Sequence, residues 1–252
     1  MSARARTGVI LKIVLIPLGA LCVIGAGLLL WISASPALMP EAFAALRGSP
    51  EVTVSVGKWG VFEPAAGKPR VGLIIYPASR VDWRAYAPPA LAIAREGFLV
   101  VLVPMPLNLA ALDPVRATSV MAAFTSIRAW VLAGHGEGGA MAARFAMHHP
   151  RDVRALILWA ARPGPGDNLG AARIPVLSIS AERDGLVPPL VIRESAWLLP
   201  SSTRWVTIPG GNHSQFGWYG NQDRDGKALI SREQQQARVV RATLQLLRSI
   251  AK

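Results

Sequence analysis

The chain predicts an α/β domain built on a doubly wound, mostly parallel sheet flanked by helices, and three observations carry that expectation. Six short apolar runs rich in Val, Ile and Leu, at residues 71–76, 98–103, 128–133, 154–160, 174–180 and 203–208, have the composition of strands buried on both faces. Segments with helical start and stop signals alternate with these runs, as in βαβ units. A glycine-rich turn, residues 134–139, joins one of the runs directly to a helical segment.

The elements follow in order from the N-terminus. Residues 1–12 form a basic segment, with Arg4, Arg6 and Lys12. Residues 13–32 are apolar without a charge, about 20 residues and so about 30 Å as a helix, which matches a bilayer core. Signal-peptide cores are shorter, about 7 to 15 apolar residues, so the length favours an uncleaved transmembrane helix, although Ser33-Ala34-Ser35-Pro36 leaves cleavage open. The basic residues precede the span and the first charge after it is the acidic Glu41. The positive-inside rule then puts the N-terminus in the cytoplasm and the domain on the far side. The single cysteine, Cys22, lies in this apolar segment, which rules out an internal disulfide and a cysteine-based metal cluster; no metal or cofactor is expected.

Residues 33–51 mix Pro, Ala and Gly and read as a tether with one helical turn, and the domain is expected over 52–252. Residues 52–56 and 59–63, separated by Gly57-Lys58, suggest an opening hairpin. Pro88-Pro89 opens a helix that stops before Gly97. Asp113 is expected to cap a second with Pro114 in its first turn, residues 138–149 form a third stopped by Pro150, and Ser231 with Gln234 makes a capping box for the last. In that helix Val240, Leu244, Leu247 and Ala251 read as the apolar seam.

The formal charge is +12. No basic run with interleaved aromatics and no nucleic-acid motif accompanies it, so a nucleic-acid partner is not expected. Arg238, Arg241, Arg248 and Lys252 share one face of the last helix, a solvated face with attraction to anionic lipid as the alternative.

The chemistry centres on Gly134-His135-Gly136-Glu137-Gly138. A strand, G-x-S-x-G and a helix form a nucleophile elbow, whose strained central residue presents its oxygen at the top of the sheet. Here the frame is complete and Gly136 stands in the nucleophile's place. In this arrangement an acid and then a histidine follow the nucleophile in chain order. Of the four histidines, His135 lies inside the elbow and His148-His149 close a helix, which leaves His213, directly after the last expected strand. Asp184, before Gly185 and after the preceding strand, has the turn chemistry that presents a carboxylate at the sheet edge. Its role would be to fix the imidazole tautomer and stabilise the imidazolium. The oxyanion donors would be the backbone N–H of Glu137 and one from the loop after the first central strand, at Ala78 or Ser79.

These residues carry a resemblance. The chain is similar to bacterial α/β-hydrolases related to dienelactone hydrolases, in a branch that often bears an N-terminal membrane anchor. The resemblance rests on Tyr76-Pro77-Ala78-Ser79-Arg80-Val81-Asp82, residues 134–139, Asp184-Gly185-Leu186-Val187-Pro188, the block Gly210-Gly211-Asn212-His213-Ser214-Gln215-Phe216-Gly217-Trp218-Tyr219-Gly220, and Ser231-Arg232-Glu233-Gln234-Gln235. It covers roughly residues 52–247, and the block around His213 is its most specific part. It implies an ester or lactone as the small-molecule substrate or ligand, and a serine or cysteine where Gly136 stands. Three readings of the glycine stay open on sequence: a disarmed pseudoenzyme that binds a ligand or partner, an enzyme in which His213 activates a water, and a substituted form of a serine hydrolase. A tethered scaffold without chemistry is the structural alternative, and it expects Asp184 and His213 to lie apart.

Overall fold

A computed structural model describes residues 15–27 and 35–252 and divides the chain into two compact units, Met1–Ser35 and Pro36–Lys252. In the first unit residues 15–27 are helical and largely exposed. The basic segment 1–12 and both ends of the span expected over 13–32 lie outside the described residues. Among the described residues no helix is long and apolar enough to cross a membrane.

The second unit holds an eight-stranded sheet in the order β1-β2-β4-β3-β5-β6-β7-β8. The strands are β1 (Val52–Val56), β2 (Gly60–Pro64), β3 (Val71–Tyr76), β4 (Leu99–Leu102), β5 (Ala129–His135), β6 (Val153–Trp159), β7 (Val176–Ala181) and β8 (Arg204–Ile208). The hairpin β1–β2 is antiparallel and adds to β4 antiparallel, while every pairing from β4 across to β8 is parallel. The central strands β3, β4 and β7 are buried at every position, which accounts for their unbroken apolar sequence.

Helices cover both faces. They are α1 (Pro40–Ala45), α2 (Ala87–Ala94), α3 (Ala117–Ala123), α4 (Glu137–His148), α5 (Pro189–Glu194) and α6 (Arg232–Ile250). One core layer joins α2 and α6 to the sheet through Ala90, Ile93, Val239 and Leu247. The other joins α3 and α4 to it through Val120, Met141, Ala142 and Phe145. Because β4 lies on one side of β3 and β5 on the other, the loops leaving β3 and β5 part at a topological switch point, where such sheets bind ligands.

Two helices differ from expectation. Helix α3 starts at Ala117 rather than at Pro114, and Asp113 does not cap it; its carboxylate pairs with Arg116 at 2.9 Å. The hydroxyl of Tyr76, at the end of β3, donates to Pro114 O at 3.0 Å and accepts from Ala117 N at 2.8 Å, so a residue remote in sequence ties down the entry to this helix. In α6 the capping box of Ser231 and Gln234 forms, but the buried stripe is Arg232, Gln235, Gln236, Val239, Ala242, Thr243, Leu244 and Leu247. Val240 is only partly buried and Ala251 is exposed, because polar side chains occupy the inward positions of the first turns. Arg248, on the basic face, pairs with Glu96 at 2.6 Å.

The compact unit begins at Pro36, so much of the segment read as a tether belongs to it. Met39 N donates to Trp218 O at 3.1 Å and Gly220 N to Ala37 O at 2.9 Å, around an antiparallel bridge of Leu38 with Tyr219. These backbone bonds stitch the start of the unit to the loop that carries His213.

Candidate active site

The turn after β5 brings the chain sharply into α4. Gly136 is the N-cap of that helix with φ 53° and ψ −123°, a region that L side chains rarely adopt and glycine enters without strain. The turn is held by Gly136 N donating to Trp159 O at 3.0 Å, and Gly136 O accepts from Gly139 N and Ala140 N. A Cβ built on Gly136 would lie 3.5 Å from His213 Nε2 and 3.5 Å from Ala78 Cβ, ordinary contact distances. The position therefore has room for a side chain and faces the histidine.

His213 follows β8, and its Nδ1 lies 2.8 Å from Asp184 Oδ2. Both side chains are almost fully buried, at 5% and 0% exposure. A carboxylate on Nδ1 fixes the proton there and leaves Nε2 as the acceptor, the tautomer a general base requires. Asp184 is itself aimed by its loop, since Oδ1 accepts from Leu186 N at 2.9 Å and Val187 N at 2.7 Å. The scaffold alternative needed the two residues apart, and they are in hydrogen-bond contact.

The expected oxyanion donors divide. Glu137 is the first residue of α4, so its N–H has no intrahelical carbonyl to meet and stands beside the Gly136 turn. Its side chain turns to the β4–α3 loop, where Oε1 accepts from Ala111 N at 3.3 Å. Ala78 N–H is engaged, donating to Tyr86 Oη at 3.0 Å. Ser79, the next residue, is partly exposed, and its N–H is the other candidate from this loop.

His135, the variable residue of the elbow, is fully buried. Its ring lies 4.2 Å from that of His213 and 5.2 Å from that of Phe216, centroid to centroid. Its Nδ1 is 2.8 Å from Tyr86 Oη. The same hydroxyl accepts from Ala78 N, so Tyr86 ties the β3 loop to the elbow histidine. Burial, with the neighbouring His213, holds His135 well below the ordinary histidine range, and burial likewise pushes the Tyr86 phenol up. A neutral imidazole thus packs against the face of His213 without adding charge.

Several residues that sequence reading passed over build the support. Arg232 Nη1 donates to Ser214 O at 2.6 Å and also to Gly217 O. Gln235 clamps the backbone of Asn212, accepting from its N at 2.9 Å and donating to its O at 2.8 Å. Gln236 Nε2 donates to Gln215 O at 2.6 Å. Three side chains of α6 thereby hold the His213 loop, and the only hint of this in the sequence was the block Ser231-Arg232-Glu233-Gln234-Gln235. Among the described residues no group of three or more His, Cys, Asp or Glu side chains is arranged to hold a metal ion.

A βαβ sheet with an elbow after β5, an acid after β7 and a histidine after β8 defines a hydrolase-type site. The chain belongs to the alpha/beta hydrolase family, whose model matches residues 72–237. Among solved structures it is similar to a predicted CIB-like hydrolase from Thermoplasma acidophilum, with 16% identity, a TM-score of 0.54, and coverage of 79% of this chain and 99% of that one. At that identity the likeness speaks for the fold. No curated protein sequence matches the chain.

Proposed function

We propose that this is a carboxylic ester or lactone hydrolase of the dienelactone-hydrolase-like branch, held at the cell membrane by its N-terminal helix, in which His213 acts as general base toward a water at Gly136. One observation carries the proposal: Asp184 takes Nδ1 of His213 at 2.8 Å, leaving Nε2 beside the place where an elbow side chain would begin. General-base catalysis needs only a positioned proton acceptor. The water would give its proton to Nε2 as its oxygen attacks the acyl carbon. The developing oxyanion would be met by the N–H groups of Glu137 and Ser79, and the imidazolium would return the proton to the departing alkoxide.

The glycine sets the scale. In subtilisin, where the triad arose independently, removing the serine lowers kcat about a millionfold, about 8 kcal/mol of barrier, and the remaining apparatus gives about a thousandfold to ten-thousandfold over water. Slow turnover of activated or strained acyl groups is the activity to look for. The same glycine favours a second reading, a disarmed pseudoenzyme that binds a ligand or partner. Hydrolysis of p-nitrophenyl acetate by the parent chain, abolished in His213→Ala, supports the water mechanism; activity confined to Gly136→Ser supports the second reading; a folded protein inactive in both forms removes the catalytic reading. For location, the N-terminus is cytoplasmic and the domain extracytoplasmic, so added protease should digest the domain in spheroplasts without lysis. Protection until lysis would refute that orientation.

A further inference from the structure

Asp225 lies in the loop between β8 and α6, in a stretch that reads as solvated and polar. Its Oδ1 accepts from Gly185 N at 3.2 Å, His213 N at 3.1 Å and Gly226 N at 2.9 Å. Its Oδ2 accepts from Ser214 N and Ser214 Oγ, both at 2.7 Å. Gly185 adjoins Asp184, so one oxygen holds both the loop that presents the acid and the backbone of the histidine. Charge-assisted bonds of this kind are roughly twice as strong as neutral ones.

The surrounding backbone is built around this contact. A Cβ on Gly226 would collide with Arg183 O, and one on Gly185 with Arg224 O, so at both glycines the two loops run backbone against backbone. Asn212 Nδ2 donates to Gly226 O and Arg183 Nε to Lys227 O, both at 2.8 Å. Ser214 is fully buried, and its Oγ accepts from Gln222 N at 3.0 Å. Three loops, at residues 183–187, 212–215 and 222–227, thus meet on one carboxylate.

We propose that Asp225 is a positioning residue that sets the Asp184–His213 hydrogen bond by bridging the amides of Gly185 and His213 through a single oxygen. It touches neither the reacting atoms nor the imidazole and acts through the two loops. The proposal rests on the dyad reading of the site and does not require that the chain turn over an ester.

The test uses the full chain and the low-field proton resonance of His213 Nδ1–H, identified by its loss in His213→Ala. The resonance is expected in the parent and in Ser214→Ala, which removes the hydroxyl bond to Oδ2 and leaves those on Oδ1 intact. It is expected to be lost in Asp225→Ala while the far-ultraviolet circular dichroism stays that of the parent. Should Asp225→Ala fail to fold, Asp225→Leu keeps about the same branched volume without either acceptor oxygen, and the same loss is expected. An unchanged resonance in a folded Asp225 variant overturns the proposal, as does its loss in both Asp225→Ala and Ser214→Ala, which would assign the effect to loop packing at large. A parent chain without the resonance overturns the dyad and the proposal together. A parent with the resonance but no ester hydrolysis counts against the proposed function alone, and the loss in Asp225→Ala then still supports the positioning role.

Discussion

Replacing Gly136 with serine would restore a nucleophile in a frame that has kept room for it. The new Cβ meets His213 Nε2 and Ala78 Cβ at 3.5 Å, so no neighbour has to move. Oγ, one bond further out, is expected to come within the roughly 2.6–3.2 Å reach of a general base. The cost is conformational, because φ of 53° suits glycine and strains serine by about 1–3 kcal/mol. For a domain of this size, about 2–4 °C of melting temperature accompany each kcal/mol, so Gly136→Ser should melt about 2–12 °C below the parent. The gain is chemical: up to about a millionfold in kcat if the whole nucleophilic contribution returns. The assay is the pre-steady-state burst with p-nitrophenyl acetate, together with labelling of the introduced hydroxyl by a fluorophosphonate. A folded Gly136→Ser chain that shows neither burst nor label would refute the claim that His213 and Asp184 form a working dyad at this elbow.

Two further perturbations test neighbouring parts of the argument. In the Gly136→Ser background, Asp184→Asn should lower kcat about ten-thousandfold, because it puts His213 in the wrong tautomer; a drop of less than about tenfold would deny Asp184 that role. His135 is held neutral in the fold by burial and by His213, whereas its unfolded imidazole takes up a proton below about pH 6.5. The unfolded state then binds more protons, so this contribution to stability is complete above that pH and is lost as pH falls from there toward the depressed folded value. His135→Gln should flatten the change in urea midpoint between about pH 7 and 5, and parallel pH profiles for parent and variant would remove His135 as the cause.

The sheet was legible because its strands are buried on both faces, which leaves unbroken apolar runs; β1 and β3 fall at the expected residues and the others within a residue or two. Asp184 and His213 were legible from chain order and from the scarcity of histidines. Their contact was not, since it depends on the parallel pairing of β7 with β8 bringing two loops to one edge. What escaped was polar chemistry acting at long range in sequence. Arg232 and Gln235 entered only through the resemblance and Gln236 not at all, yet all three face inward because the His213 loop offers them backbone groups. The start of α3 escaped for a similar reason, as a hydroxyl from β3 stands where a local cap was expected. Ala78 could not be separated from Ser79 without knowing that Tyr86 takes its N–H.

The pairing of residues 37–39 with 218–220 has a consequence for the order of assembly. It joins the first residues of the domain to a loop that enters only after all eight strands have been made. Such contacts close a very long stretch of chain, and their loop entropy has to be met before they stabilise anything. Closure of residues 37–39 on 218–220 is therefore a late event in folding, after the central strands have found one another. A chain shortened past Met39 would still have every strand and the α6 side chains that hold residues 212–217, and would lack only the closure at residues 218–220.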